Sequence, residues 1–304
     1  MSIQPLVSVC LITYNHELYI RQAIESILMQ KVDFPWEIII ADDCSPDNTR
    51  NIINEYQAKH PDLIRLLYQD KNVGGGKNFV DLINSAQGKY IAYLEGDDYW
   101  TNDLKLQKQF DFMESHPEFS MCYHKIKWEF TYESDDWKNL PKESNLNDKF
   151  VSTISDIISK GWFIRSCSMF FKRIELPIGF ELLYIGDYPL HVLCAYKGNI
   201  AFLNELMSVY RIHKNGFSEK NLIVDDLKKR FKNHNAEIEV LNFLNKHTSY
   251  KFNSLFKKKI FNEIYSFNYY LIKKNKFYFI KNIFKTIITN NPIFLFKNVL
   301  IKLY

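Results

Sequence analysis

Tyr90-Ile91-Ala92-Tyr93-Leu94-Glu95-Gly96-Asp97-Asp98-Tyr99-Trp100 is the stretch on which the reading of this chain turns. Its first five residues are an apolar run with the length and the β-branched and aromatic character of a buried strand. The run then breaks into three carboxylates around a glycine. Like charges within a few ångströms raise one another's pKa, so acids gathered at the end of a buried strand need a positive partner. A hard divalent cation on oxygen ligands, Mg²⁺ or Mn²⁺, meets that need, and such ions sit on one or two carboxylates while also holding a substrate's phosphates. The competing reading is a solvated acidic turn that caps a helix starting near Asn102.

Upstream, strands and helices alternate. Val7-Ser8-Val9-Cys10-Leu11-Ile12-Thr13 predicts a first strand, apolar on both faces and therefore central in a covered parallel sheet, with Tyr14-Asn15-His16 at its carboxyl end. Ile20, Ala23, Ile24, Ile27 and Leu28 recur at helical spacing. Trp36 to Ala41 predicts a second buried strand that runs into Asp42-Asp43. Ser45-Pro46 then reads as an N-cap with proline at the first helical position, and Ile52, Ile53 and Tyr56 as the buried stripe. Leu63 to Tyr68 makes a third strand. Asn72-Val73-Gly74-Gly75-Gly76-Lys77-Asn78 opens a helix carrying Phe79, Val80, Leu82 and Ile83, which delivers the chain to Tyr90.

This rhythm predicts an α/β fold with a doubly wound, mixed but mostly parallel sheet. Ligands of such sheets bind beyond the carboxyl ends of the strands. Tyr14, Asp43, Lys77 and the Glu95 to Asp98 cluster all fall there, so four loops converge on one crevice. Singly, Asp43 reads as a turn residue and Lys77 as a solvated lysine. The glycine run is no P-loop, because Asn78 stands where a Ser or Thr would hold Mg²⁺, and no glycine lies five residues before Gly76. The first strand-to-helix turn also lacks Gly-x-Gly-x-x-Gly. ATP hydrolysis and hydride transfer are excluded on these grounds.

The composition, 46% hydrophobic and 24% charged over 304 residues, is that of a globular protein with a sizeable core. The five cysteines are odd in number and scattered, with no Cys-x-x-Cys pair, and read as buried reduced thiols. The N-terminus has no basic region followed by an apolar stretch, so a cytoplasmic location is expected. The net charge of +4 is uneven: Lys251 to Tyr304 holds eleven lysines and one acid, which leaves the preceding 250 residues at −6. No nucleic-acid partner is expected.

Taken together, Val7-Ser8-Val9 through Tyr14-Asn15, the turn Asp42-Asp43-x-Ser45-x-Asp47, the loop Asn72-x-Gly74-x-x-Lys77-Asn78, and Glu95-Gly96-Asp97-Asp98-Tyr99-Trp100 resemble family 2 glycosyltransferases of the GT-A fold. The match covers roughly residues 5 to 215. The resemblance implies an inverting transfer of a sugar from a nucleotide diphosphate donor, of UDP-sugar type, with a divalent metal between carboxylate and diphosphate. Carried over by position, Tyr14 flanks the nucleobase, Asp43 accepts its ring N–H, Lys77 faces the diphosphate, Asp97 meets the ribose or the metal, and Asp98 meets the metal. Glu95 departs from the aspartate common in the family, and its role is left open. The resemblance also makes Asp187 the catalytic base, where the residues alone allow an N-cap before Tyr188-Pro189. It makes His213 a metal ligand or diphosphate contact, and Arg211, one of three basic groups at the same strand end, is expected to contact substrate. Arg165-Ser166-Cys167-Ser168, after Trp162, is expected to face the acceptor, and Glu129 to Lys149 to form a mobile loop over the site.

The pattern changes at Gly216, giving a GT-A-like domain over residues 1–215 and a helical, basic-aromatic extension over 216–304, with a helix over Leu222 to Leu244. Phe277, Ile280, Phe284, Ile287 and Ile288 share one helical face while Lys281 and Lys285 lie off it. No apolar run reaches the ~18 residues that span a bilayer. Lysines near an anionic leaflet contribute ~1 kcal/mol each, which makes an anionic membrane surface an expected partner and the inner face of the cell membrane the expected place. The alternative is that the face packs on the catalytic domain. The acceptor expected is a glycan or polyprenyl-linked saccharide. Two other classes use the same crevice: a sugar nucleotidyltransferase, which releases pyrophosphate, and a non-catalytic nucleotide-sugar-binding protein.

Overall fold

The first strand, β1 (Val7–Thr13), is buried along nearly its whole length, as its two-sided apolar pattern requires. The computed structural model describes residues 4–132, 149–183, 186–216 and 227–274. Parallel neighbours flank β1 on both sides: β2 (Trp36–Asp42) on one and β4 (Tyr90–Glu95) on the other, so that Val9 pairs with Ile38 and with Ala92. The third strand, β3 (Ile64–Tyr68), extends the sheet beyond β2. The far half holds β5 (Tyr99–Trp100), β6 (Phe119–Phe130), β7 (Val151–Ser152), β8 (Phe170–Lys172) and β9 (Asn199–Ile212). The order is β3-β2-β1-β4-β8-β6-β9-β5, with β7 on β9. The long ladders are parallel, while β8, β5 and β7 join by short antiparallel pairings.

The helices follow the predicted stripes. In α1 (Ile20–Leu28) Ile20, Ala23, Ile24 and Ile27 are all fully buried, about 1.5–3 kcal/mol for each large side chain. The next helix, α2 (Thr49–Lys59), starts later than Ser45-Pro46 suggests. Ser45 does not cap it: its hydroxyl donates to Asp42 and accepts from the Asn15 N–H at 2.8 Å, which ties the loops after β1 and β2 together. Gly74, at φ 87°, turns the chain into α3 (Gly75–Ser85) through backbone space that a side chain disfavours. The remaining helices of this part are α4 (Lys105–Ser115), α5 (Ile154–Lys160) and α6 (Asp187–Lys197). Buried Trp100 fixes the acidic turn from behind, its N–H donating to Ser26 Oγ at 3.0 Å and its ring Nε1 to the Cys167 carbonyl at 3.0 Å. All five cysteines are free thiols, four of them buried.

Two compact units divide between Lys229 and Arg230, whereas the sequence pattern changes at Gly216. The second unit contains most of α7 (Leu227–His247) and all of α8 (Asn253–Lys274), with Leu241, Leu244, Phe256 and Leu271 buried and His234 stacked on Phe267 at 4.2 Å between centroids. The predicted face from Phe277 to Ile288 lies outside the described residues, as do residues 222–226 of the predicted helix. Glu129 is a correction: it belongs to β6 and not to a loop. Residues 133–148 of the expected loop lie outside the described residues.

Candidate active site

After β1 the chain turns toward β2, and after β4 it moves to the other side of the sheet, so the loops beyond these two adjacent strands separate. A crevice opens at such a switch point. Three side chains meet in it: His16 from the loop after β1, Asp97 from the turn after β4, and His213 just past β9. Asp97 Oδ2 lies 3.0 Å from His213 Nε2 and 3.7 Å from His16 Nε2.

Local structure explains the meeting. Asn15 takes φ 59°, a left-handed conformation that asparagine tolerates, and turns the chain back at the strand end. The His16 N–H then donates to Thr49 Oγ1 at 3.0 Å, and its ring Nδ1 bonds Thr13 Oγ1 at 3.2 Å. Gly96 permits the close approach, because a Cβ there would lie 2.7 Å from Thr13 Oγ1 and 2.9 Å from His16 Nδ1. On the other side, the Arg211 N–H donates to Asp98 Oδ1 at 2.8 Å, docking the end of β9 on the acidic turn and setting His213, two residues on, against Asp97.

Burial works against the charge of Asp97, yet His16 and the hydrogen-bonded His213 hold its carboxylate below the ordinary range. Its second oxygen, Oδ1, is buried without a hydrogen-bond partner. One carboxylate with an orphaned oxygen and two imidazoles are a donor set that fits a divalent cation. Glu95 behaves oppositely: burial, then the charges of Asp97 and Asp187, push it up to about 8, and Ser166 Oγ donates to its Oε2 at 3.1 Å.

Asp187 opens α6 and is no N-cap; Gly186 holds that position. Its Oδ1 accepts from Trp162 Nε1 at 2.7 Å and from the Tyr188 N–H at 2.9 Å. Burial raises its pKa, and these hydrogen bonds together with the Arg165 charge oppose the rise. Tyr14 is 44% exposed beside the strand ends. Asp43 is buried and accepts from the N–H groups of Val73 and Gly74 at 2.7 and 2.9 Å, so it fastens the glycine loop to β2. Lys77 is exposed on α3 and pairs with Asp81 one turn on.

Two more of the expected site residues are tied to the protein itself. Asp98 lies outside the His16, Asp97 and His213 group; its Oδ1 accepts from the end of β9, its Oδ2 is buried without a hydrogen-bond partner, and burial with Asp97 and Glu95 nearby pushes its carboxyl well above the usual range. Arg211, expected as a substrate contact, has its guanidinium buried and bonded within the protein. Nε donates to Glu129 at 2.9 Å, Nη2 to Gln22 at 2.6 Å and Nη1 to the Asp97 carbonyl, with Tyr19 and Tyr99 against its faces. Sequence reasoning gives His16 no role. The signal for it is its place in the loop after the central strand, next to the switch point.

The family model for glycosyl transferase family 2 matches residues 8–172, more than half of the chain. The chain belongs to glycosyl transferase family 2. Among relatives of this glycosyltransferase is TuaG of Bacillus subtilis strain 168, whose name assigns it to teichuronic acid biosynthesis; it is 36% identical over 217 residues, covering 71% of this chain and 82% of TuaG. An uncharacterized protein of Mycobacterium tuberculosis is 38% identical over 213 residues, covering 69% of this chain, which spans only 59% of that relative's length. Solved structures share the fold. S. aureus TarS in complex with UDP superposes with a TM-score of 0.53 at 22% identity over 81% of this chain and 72% of TarS. A mannosyltransferase from Pyrobaculum calidifontis, in complex with GDP-Man and Mn²⁺, superposes with a TM-score of 0.54 at 16% identity over 81% of this chain and 65% of its own. Membership in the glycosyltransferase family sets aside the nucleotidyltransferase and the purely binding readings.

Proposed function

We propose that this enzyme transfers a sugar with inversion from a UDP-sugar to a hydroxyl of a glycan or lipid-linked saccharide, with Asp187 as general base and a divalent cation held by Asp97 and His213. The observation that carries this reading is the opposed setting of two carboxylates: Asp97 lies against two imidazoles that hold its pKa down, while Asp187 is fixed by Trp162 and burial raises its pKa. When bound, the cation supplies a Lewis acid that neutralises charge developing on the departing diphosphate.

Asp187 takes the proton of the acceptor hydroxyl as the new bond forms at the anomeric carbon and the bond to diphosphate breaks on the opposite face. Trp162 fixes the carboxylate orientation through its hydrogen bond to Oδ1. Tyr14 flanks the nucleobase, Asp43 accepts its ring N–H, and Lys77 leaves Asp81 to meet the diphosphate. UDP bound to TarS supports the donor class, and the naming of TuaG for teichuronic acid biosynthesis supports a polysaccharide acceptor. The test is an NMR spectrum of the product's anomeric proton with Mg²⁺ or Mn²⁺ present. Configuration opposite to that of the donor is expected, and retained configuration overturns the reading.

The eleven lysines of Lys251 to Tyr304, with the aromatic residues among them, support attachment to an anionic membrane surface at the cytoplasmic face. Among the described residues no helix is long and apolar enough to cross a membrane. Co-sedimentation with anionic liposomes should be lost on neutralising these lysines; sedimentation indifferent to them would remove the proposal.

A further inference from the structure

We propose that His16 is a direct ligand of the bound cation, making the centre a site of two imidazoles and one carboxylate that prefers first-row transition cations, Mn²⁺ and more strongly Co²⁺, to Mg²⁺. The inference rests on the reading above that Asp97 and His213 hold a divalent cation.

Geometry carries it. The rings of His16 and His213 stand at 77° with centroids 6.2 Å apart, so both Nε2 atoms approach Asp97 Oδ2 without stacking of the rings. Donor atoms of all three residues lie within 4.8 Å of one another, the spread that one ion bridges. His16 is held in place through its backbone and through one ring nitrogen. Its carbonyl accepts from the N–H groups of Tyr19 and Ile20 at 2.9 and 2.8 Å, its N–H is on Thr49, and Nδ1 is on Thr13. In the tautomer that places the proton on Nδ1, toward Thr13, Nε2 carries the lone pair on the side of Asp97, the arrangement in which a second partner orients a metal-ligating histidine. The glycine at position 96 points the same way, since any side chain there would push Thr13 and His16 from the turn. A histidine present only as a counter-charge for Asp97 needs none of this fixing.

The donor set decides the metal. Mg²⁺ favours oxygen ligands and gives up its waters reluctantly, whereas imidazole nitrogen suits the later first-row ions and affinity rises from Mn²⁺ to Co²⁺. Three protein donors leave the remaining coordination positions of the ion to diphosphate oxygens and water. Selectivity against Mg²⁺ therefore resides in the second imidazole, and His16 supplies it.

Full-length, metal-stripped protein is titrated with Mn²⁺ while the free ion is followed by electron paramagnetic resonance, with Mg²⁺ and Co²⁺ as competitors. Wild type should release Mn²⁺ to Co²⁺ at low concentration and to Mg²⁺ only at about 10-fold or more higher concentration. His16→Asn and His16→Gln should each weaken Mn²⁺ and Co²⁺ about 10-fold or more while changing Mg²⁺ far less, with melting temperature measured without metal as the control for folding. Unchanged Mn²⁺ affinity in either folded variant overturns the role of His16. Asp97→Asn separates the two levels: if it abolishes Mn²⁺ binding and the His16 variants do not, only this inference fails. If wild type binds no Mn²⁺, or Asp97→Asn binds it normally, the metal reading beneath it fails as well.

Discussion

Replacing Gly96 with alanine tests the way two loops are brought together. The new Cβ would lie 2.7 Å from Thr13 Oγ1 and 2.9 Å from both Thr13 Cβ and His16 Nδ1. Carbon atoms in ordinary contact are about 3.5–4.0 Å apart, so something must move by roughly 0.6–1 Å. Thr13 cannot swing aside, because it is β-branched and ends the central strand in register with Asp42. His16 is held by Thr13 and Thr49. The acidic turn must therefore yield, which costs about 1–3 kcal/mol as overpacking. In a chain of this size that lowers the melting temperature by roughly 2–10 °C. The same displacement separates Asp97 from His16 and should weaken Mn²⁺ binding about 10-fold, the equivalent of about 1.4 kcal/mol. Gly75→Ala is the control: nothing lies within 4 Å of a Cβ there, and alanine favours the helix it opens. Calorimetry and metal titration on the same preparations read both effects. A Gly96→Ala protein with wild-type melting and wild-type Mn²⁺ affinity would refute the tight approach and everything drawn from it.

Asp187→Asn should lower kcat by about 10²–10⁴ while leaving UDP binding and melting nearly unchanged, measured by turnover and by thermal shift with UDP. Trp162→Phe removes the donor that favours the ionised form of Asp187, so the acid limb of the pH–kcat/KM profile, already above that of an ordinary aspartate, should move to higher pH. A limb moving to lower pH would contradict the assignment. Lys105 is fully buried, bonded to Gln109 at 2.7 Å and set over Trp100, and burial pushes its ammonium down to about 7 from 10.5. Between those values the unfolded chain binds the extra proton, so wild-type stability should rise with pH across that window. Lys105→Met should therefore stabilise by about 1–4 kcal/mol below pH 7 and by less near pH 10, as read from urea melts at both.

The sheet was legible wherever strands are buried on both faces. Apolar runs such as Val7 to Thr13 and Trp36 to Ala41 allow only a covered parallel arrangement, and the helical stripes between them set the connections. Glu129 escaped this logic because β6 leaves one face to solvent near its end, where polar residues resemble a loop. Ser45 has a cap's composition but turns its hydroxyl back to Asp42, three residues earlier, and accepts from the Asn15 N–H, a partner that only the fold brings near. Within the site, Asp97 and Asp98 are indistinguishable by type, and only the folded turn gives them different neighbours: two imidazoles for Asp97 and the Arg211 N–H for Asp98. Arg211 has the composition of a substrate contact, and its three protein acceptors depend on the docking of β9. His16 had no motif to announce it; its importance follows from the strand order, which sets the loop after β1 beside the turn after β4.

The most direct test of the metal centre is a crystal of the protein with UDP and Mn²⁺, examined by anomalous scattering at the manganese edge. The account predicts a single strong peak within bonding distance of Asp97 and the Nε2 atoms of His213 and His16, with the diphosphate on its open side. A peak held by Asp98 or Glu95, or diphosphate bound in the crevice with no manganese beside Asp97, would contradict it.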